Sequence, residues 1–455
     1  MLGDSRGAEM DTKSDDSTTI REVSAARGGR AATPVLLIGS FLSESTRVVS
    51  LDRPVTIGRG RSSDAGVRNQ DAEVIVHADR TLSRPHLRIA RSSDTWTVED
   101  LGSKNGTFVD GRRITKSTAA SPGSVVMFGS HAGVFRRVSA GELAAIEAEA
   151  ADPLGPVATM SPALAVTASI LRRLARVREA HLLLVGETGV GKEVYARAVH
   201  AASGRTGELV AINCAALPRE LVESELYGYA RGAHSTATRA KPGLVEMADK
   251  GTLLLDEIGE MEPGLQAKLF RFLQDGKVQA LGSTQARPVD VRVIAATSQV
   301  SASVRADLVG RLGAEPIVIS PLAERVEDIG ALVSHFAGPA FPGMEPAAFR
   351  ALCSYHWPRN VRELSEVVKL ALALADGRPI RVGDLPGGVR AALETGPRIG
   401  AARKYRAGPS RVQLERLLRD KRGNVAAVAK ALDRQWAVVQ RWLRRHDLDA
   451  ARFRE

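Results

Sequence analysis

The chain has 455 residues, a formal net charge of +11, 44% hydrophobic and 25% charged residues, and two cysteines. That length fits about three domains, and the apolar share excludes a chain too polar to bury a core. Two cysteines make no disulfide framework, and Cys214 and Cys353 are too far apart in sequence to suggest a cysteine metal knuckle; the lack of any run near the ~18 apolar residues of a membrane span, or of a leader's apolar segment, argues against membrane and secreted proteins and makes the cytoplasm the expected location.

The positive charge favours a polyanionic partner, which without a membrane points to nucleic acid. A compositional preference for Arg would produce the same excess. In chain order, residues 1–33 are rich in Ser, Asp, Gly and Arg and read as a disordered tail. From residue 34 to 138, short apolar runs (VLLIG, VTIG, LRIA, WTVEDLG, VVMFG) alternate with Gly, Asp and Asn turns, the pattern of an all-β sandwich. Four signals recur there in order: IGRG with Arg59; LSRPH with Ser83, Arg84 and His86; LGSKNGTFVDG with Lys104, Asn105 and Gly106; and a late VVMFG strand. Together they resemble a forkhead-associated (FHA) domain, which implies binding of a phosphothreonine protein or peptide. Arg59 would give a charge-assisted bond to the dianionic phosphate. Ser83 would add a hydroxyl donor, Arg84 and Lys104 further charge, and Asn105 a hold on the peptide backbone, while His86 and Gly58 brace the loops. The tail's own Thr12, Thr18 and Thr19 are candidate self-ligands.

Residues 139–158 read as a linker containing an Ala/Glu stretch able to form a short helix. From 159 to 321 strands alternate with helical patterns, the signature of an α/β domain on a parallel sheet. In HLLLVGETGVGKE a buried strand runs into a Gly-rich loop and a helix. Gly186, Gly189 and Gly191 let the backbone curl so that N–H groups point at phosphates, with Glu187, Thr188 and Val190 completing the loop and Lys192 reaching the outer phosphates. Glu193 stands where the strict pattern has a Ser or Thr for Mg²⁺. Some sixty residues on, GTLLLDEIGE ends an apolar strand in Asp256, able to organise Mg²⁺ through water, and Glu257, able to act as general base.

These motifs, with INCAAL, ESELYGY, LQAKLFRFLQDGKVQALG, VRVIAAT, PLAERVEDI and YHWPRNVREL, resemble the AAA+ domain of NtrC-like, sigma-54-dependent activators (bacterial enhancer-binding proteins). In that family the phosphate loop also ends in Glu. The resemblance implies an ATPase with ATP and Mg²⁺ as cofactors, working as a homo-oligomeric ring. It implies nucleotide contacts from Ala248, Asp249, Lys250, Gly251, Thr252, Leu253, Leu254 and Leu255, and a sensor role for Arg362 in a helical lid over 322–388. Asn213 would pair with Glu257 and gate it, and Arg305 and Arg311 would reach a neighbour's nucleotide, fingers worth ~10³ to 10⁵ in rate. The sensor strand ends Thr297-Ser298 where the family has Thr-Asn. The family's polymerase-contact loop reads Gly-Ala-Phe-Thr-Gly-Ala. Here it is Gly232, Ala233, His234, Ser235, Thr236 and Ala237, without the apolar tip or the pliable second Gly.

Residues 389–409 read as a second linker, and 410–450 carry a helix-turn-helix rhythm with Asn424 as an N-cap. This end resembles a Fis-type helix-turn-helix, which implies a dimer on double-stranded DNA. Gln435, Trp436, Ala437 and Gln440 would face the major groove, Arg434, Arg441, Arg444 and Arg445 the phosphates, and Val439 and Trp442 the interior. The whole reads as an ATP-dependent transcription activator of sigma-54 RNA polymerase under phosphothreonine control. The alternative is a DNA-binding regulator or FHA scaffold that binds ATP and acts without sigma-54.

Overall fold

The computed structural model describes residues 32–42, 47–60, 73–92, 95–233, 239–298, 304–313, 315–395, 411–432, 436–445 and 448–453. The expected tail and the Arg/Gly stretch before residue 411 lie outside them.

The first domain is a sandwich of eleven strands: β1 (Thr33–Ser40), β2 (Arg47–Ser50), β3 (Val55–Arg59), β4 (Glu73–His77), β5 (Leu87–Ser92), β6 (Thr95–Asp100), β7 (Thr107–Val109), β8 (Arg112–Arg113), β9 (Thr118–Ala120), β10 (Val125–Phe128) and β11 (His131–Val138). One sheet runs β2-β1-β11-β10-β7-β8 and the other β4-β3-β5-β6-β9. In β5, Leu87 and Ile89 are buried and Arg88 is exposed, the alternation of a strand with one wet face. β1 does not alternate, because both its faces are covered. Leu36 and Ile38 enter the sandwich core, where Trp96 stacks on Phe135 at 5.1 Å. Val35 and Leu37 instead meet Ile146 and Ala165 outside it.

That outer cover corrects the expected linker. Ser139 caps helix α1 (Ala140–Ala151) in a reciprocal box with Glu142, and α1 with α2 (Pro162–Ala175) closes over β1. The α/β domain then builds a five-stranded sheet, order β13-β16-β19-β12-β20, all neighbours parallel. Its strands are β12 (Leu182–Val185), β13 (Leu209–Asn213), β16 (Thr252–Asp256), β19 (Arg292–Thr297) and β20 (Ile317–Val318). Two small hairpins project from it, β14 (Gly228–Tyr229) with β15 (Lys241–Pro242), and β17 (Lys277–Gln279) with β18 (Ala286–Pro288). The helices are α3 (Lys192–Ala201), α4 (Arg219–Tyr227), α5 (Leu244–Met247), α6 (Pro263–Asp275) and α7 (Ala306–Leu312). Four more form the lid: α8 (Ile329–Ala337), α9 (Pro346–Ser354), α10 (Asn360–Ala375) and α11 (Gly387–Thr395). α11 runs past residue 388, where the expected lid ends, because Val389 and Leu393 pack into the lid core.

The sandwich docks on this lid. Phe41, Val125, Met127, Ala132 and Val134 share one apolar cluster with Leu322, Ile329, Val333 and Phe349. Phe41 meets the Phe349 and Phe341 rings edge-on, at 5.1 and 5.7 Å. Gly39 lies against the Glu327 carbonyl and Gly330 against the backbone of Ser40, so close that a Cβ at either would overlap main chain. Arg136 of β11 spans the seam, donating to Glu324 O at 2.9 Å and Glu327 Oε1 at 2.7 Å.

Candidate nucleotide and phosphopeptide sites

Strand β12 delivers the chain to the loop Gly186–Gly191, where Gly186 N still donates to Thr297 O at 3.2 Å and Val190 N donates to Glu187 O at 3.3 Å. Gly189 and Gly191 take left-handed φ of +79° and +107°, which lets the loop curl into the N-terminus of α3. The lid grips this loop from above. Asn360, buried and at the start of α10, donates to Glu187 Oε2 and Thr188 O at 3.1 Å each and accepts from Leu322 N at 2.8 Å. Arg325 donates to Val190 O at 3.0 Å, and Arg362 N to Gly189 O at 3.3 Å. A Cβ on Gly189 would overlap the Arg359 carbonyl. The exposed Arg362 side chain therefore starts beside the loop.

Lys192 is buried and its Nζ donates to Gly186 O at 2.8 Å, with Glu257 Oε1 3.4 Å away. Glu257 holds a left-handed φ of 51°, a conformation that costs a non-glycine residue about 1–2 kcal/mol. It turns the carboxylate into the pocket, where Oε2 accepts from Ser298 N at 3.1 Å. Burial pushes Asp256 above its ordinary carboxylate range, against the opposing charge of Lys192. A half-buried carboxylate in that condition fits a divalent cation. An ammonium resting on a carbonyl at the base of a glycine-curled loop likewise fits a triphosphate.

Two expectations need correction. Asn213 ends β13 opposite Asp256 in the ladder, but its Oδ1 accepts from Ala215 N, and Glu257 is held by Lys192 and Ser298 instead. Of the stretch 248–256, Asp256 has Lys192 and Glu257 as charged neighbours, and Leu254 shares a core cluster with Val190 of the loop. Ala248, Leu253, Leu254 and Leu255 are buried in core clusters, and Thr252 pairs with His200 at 2.8 Å. Asp249, Lys250 and Gly251 form the turn entering the strand, where Asp249 accepts from Asp290 N and Lys250 N donates to Asp290 O. At ~3.3 Å per residue that turn is more than about 13 Å from Asp256. Arg305 and Arg311 are exposed on α7 and its N-cap as expected. Within the chain Arg305 pairs with Asp307 at 2.6 Å, and Arg311 donates to Leu273 O at 3.1 Å. Asn360, Arg325 and the Ser298 N–H were missed as site groups, although the first two lie inside the motifs YHWPRNVREL and PLAERVEDI.

In the sandwich the expected phosphopeptide residues converge. Gly58 lies under the LSRPH loop, where a Cβ would crowd Ser83 O at 3.1 Å, and Arg59 N donates to that same carbonyl at 2.8 Å. Ser83 Oγ accepts from Lys104 N at 3.0 Å, leaving its O–H to donate. Asn105 Nδ2 donates to Thr81 O at 2.6 Å, leaving its carbonyl to accept. His86 bridges the two loops: Nδ1 accepts from Ser83 N at 3.2 Å and Nε2 lies 3.4 Å from Gly106 O. Burial lowers its pKa, which keeps the ring neutral as that bridge demands. Arg59, Arg84 and Lys104 are exposed around it.

Comparison with known families matches the chain to three domain models in order: an FHA domain over residues 55–129, a Sigma-54 interaction domain over 157–317 and an AAA+ ATPase lid domain over 323–400. The chain therefore carries a Sigma-54 interaction domain, an AAA+ lid domain and an FHA domain, and over the first two it is similar to sigma-54-dependent regulators. Its relatives include the nitric oxide reductase transcription regulator NorR2 of Cupriavidus necator, 40% identical over 58% of this chain and 58% of that protein. The regulatory protein AtoC of Escherichia coli is 40% identical over 52% and 54%, and the transcriptional regulatory protein XylR of Pseudomonas putida 42% over 51% and 44%. The chain thus spans about half the length of these curated relatives. A crystal structure of NtrX from Brucella abortus in complex with ATP is 29% identical, covers 65% of this chain and 70% of that one, and superposes with a TM-score of 0.46.

The loop expected to contact the polymerase leaves hairpin β14–β15. Gly232 takes φ +81°, and Ala233 would touch any Cβ placed on Gly282. His234, Ser235, Thr236 and Ala237 lie outside the described residues. At the C-terminal end, helices Arg411–Asp420, Val425–Ala431 and Trp436–Arg445 surround Leu414, Leu418, Val428, Val439 and Trp442. Asn424 Oδ1 caps the second helix through Ala427 N at 3.0 Å. Trp436 was expected to face DNA; it packs half-buried against this cluster, because its position lies one helical turn before Val439 on the same face. Ala437, Gln440, Arg441, Arg444 and Arg445 share that third helix, while Arg434 and Gln435 lie outside the described residues. No described helix is long and apolar enough to cross a membrane.

Proposed function

We propose that this chain is an ATP-hydrolysing transcription regulator, working as a homo-oligomeric ring, in which phosphothreonine recognition by the FHA domain controls an AAA+ motor that acts on sigma-54 RNA polymerase. The observation that carries it is the clustering of Lys192, Asp256 and Glu257 below a glycine loop that the lid clasps. Gly186–Glu193 and Arg362 would bind ATP, and Asp256 would hold Mg²⁺ through water. The ion would supply charge neutralisation at the phosphates. Lys192, leaving Gly186 O for the outer phosphates, would release Glu257 to take a proton from the attacking water. Arg305 and Arg311 would swing from Asp307 and Leu273 to a neighbour's nucleotide. The third C-terminal helix would enter the major groove of double-stranded DNA as a dimer, with Gln440 and Ala437 at base edges and Arg434, Arg441, Arg444 and Arg445 on phosphates.

Turnover per subunit is expected to rise with protein concentration and to fall to background in Glu257→Gln. Turnover that is flat with concentration and unchanged in that variant would refute the ring motor. A second reading is favoured by the loop sequence GAHSTA, which lacks an apolar tip: the same ring acts on DNA or another polymerase form. Co-sedimentation with sigma-54 in the presence of ADP and aluminium fluoride separates the two, since only the first reading forms that complex.

A further inference from the structure

Phe108 sits where the FHA sandwich meets the lid. It lies in β7, three residues after Asn105 and directly opposite Arg113 of β8, so the two side chains leave the same face of the ladder. From the lid, Arg350 of α9 sets its guanidinium carbon 4.0 Å from the centroid of the same ring. Arg113 also reaches back to the phosphopeptide loops: a Cβ on Gly106 would lie 2.6 Å from its Nε. Two guanidiniums, one from each domain, therefore come within electrostatic range of each other, Arg350 over the Phe108 ring and Arg113 beside Gly106. Among the described residues neither is paired with a carboxylate. Burial, and then the charge of Arg113, lower the pKa of Arg350. An anion between them would offset that effect and gain charge-assisted hydrogen bonds from both.

We propose that Arg113 and Arg350 form a composite anion subsite, assembled from FHA domain and lid together, that takes an acidic side chain of the phosphothreonine peptide held by Arg59, Ser83 and Asn105. The inference rests on the phosphopeptide reading above. The reach is short. Lys104 touches Ser83 Oγ, and four residues of chain separate Lys104 from Phe108, about 13 Å when extended. An extended peptide covers that distance in roughly four residues, so the acidic position falls within about five of the phosphothreonine. Because one of the two cations belongs to the lid, such a peptide bridges the domains, and a peptide lacking the acid does not.

The test uses the full-length protein and fluorescence anisotropy with phosphothreonine peptides. A single Glu, phosphoserine or Ala is moved through five positions on either side. One position is expected where Glu or phosphoserine binds about tenfold tighter than Ala, roughly 1.4 kcal/mol. Arg350→Gln should collapse that difference to within about twofold. Arg113→Glu, at an exposed position, should reverse it so that Lys at the same position is preferred. A flat profile with phosphopeptide binding retained, or a preference untouched by both variants, overturns the subsite alone. Failure of the wild-type protein to bind any phosphopeptide overturns the subsite and the phosphopeptide reading together.

Discussion

Removing Arg136 should undock the FHA domain from the lid. Its guanidinium donates to Glu327 Oε1 at 2.7 Å and to Glu324 O at 2.9 Å, and the Glu327 side chain is 0% exposed against 15% for Arg136. Arg136→Met keeps most of the volume but leaves a carboxylate in the seam without its cation. Breaking a buried pair from one side costs about 3–5 kcal/mol, whereas replacing both partners with apolar groups is often neutral. The apolar cluster around Phe41 and Phe349 is untouched by either change, so the ionic term is isolated. For a unit of this size each kcal/mol lowers the melting temperature by about 2–4 °C, so the single variant should melt roughly 6–20 °C lower. The Arg136→Met/Glu327→Met pair should recover most of that loss. Hydrogen exchange on full-length protein would read the effect locally, with protection lost in β11 and residues 324–328 and kept in β5 and β6. A single variant that costs less than about 0.5 kcal/mol, or a double variant no better than the single, would refute the assignment of this pair as the tie between the domains.

Three further outcomes follow from the nucleotide domain. Asn360→Ala leaves Leu322 N and Thr188 O without their partner, a loss of about 1–3 kcal/mol. Fluorescent nucleotide titration should then show affinity weakened roughly ten- to hundredfold. Gly189→Ala meets both a φ of +79° and the Arg359 carbonyl, so lid and loop should separate and nucleotide protection of the lid from proteolysis should vanish. The half-buried His181 has its pKa lowered to about 4 from 6.5 by desolvation and then by the charges of Arg311, Arg292 and Arg205, and its Nδ1 accepts from Val293 N at 3.1 Å. The unfolded chain therefore takes a proton near 6.5 and the folded one near 4. Stability is full above that window and falls by about 3 kcal/mol as pH drops through it. Urea titrations across pH should show this slope reduced in His181→Asn, whose amide oxygen can still accept from Val293.

Much of the site was legible because its determinants are local. The glycines of the phosphate loop, the Asp256-Glu257 pair after an apolar strand, the Gly58–Arg59 and Asn105–Gly106 loops and the Asn424 cap each encode their geometry within a few residues. Backbone sterics act at that range, and residue type decides which φ is open. The strand pattern of β5 and β6 was readable for the same reason.

The tertiary structure alone decided what meets across long stretches of chain. β1 and β10 read as apolar runs, yet nothing in them says that one outer face goes to α1 and α2 and the other to the lid. Arg136 finds Glu327, Asn360 finds Glu187 and Arg350 finds Phe108 over separations of 173 to 242 residues in sequence. Glu257 is held by Lys192 and Ser298 while Asn213 turns to its own loop, and Trp436 turns inward. Such pairings depend on the summed burial of many side chains, and a periodic pattern marks a face as apolar without naming the surface that will cover it.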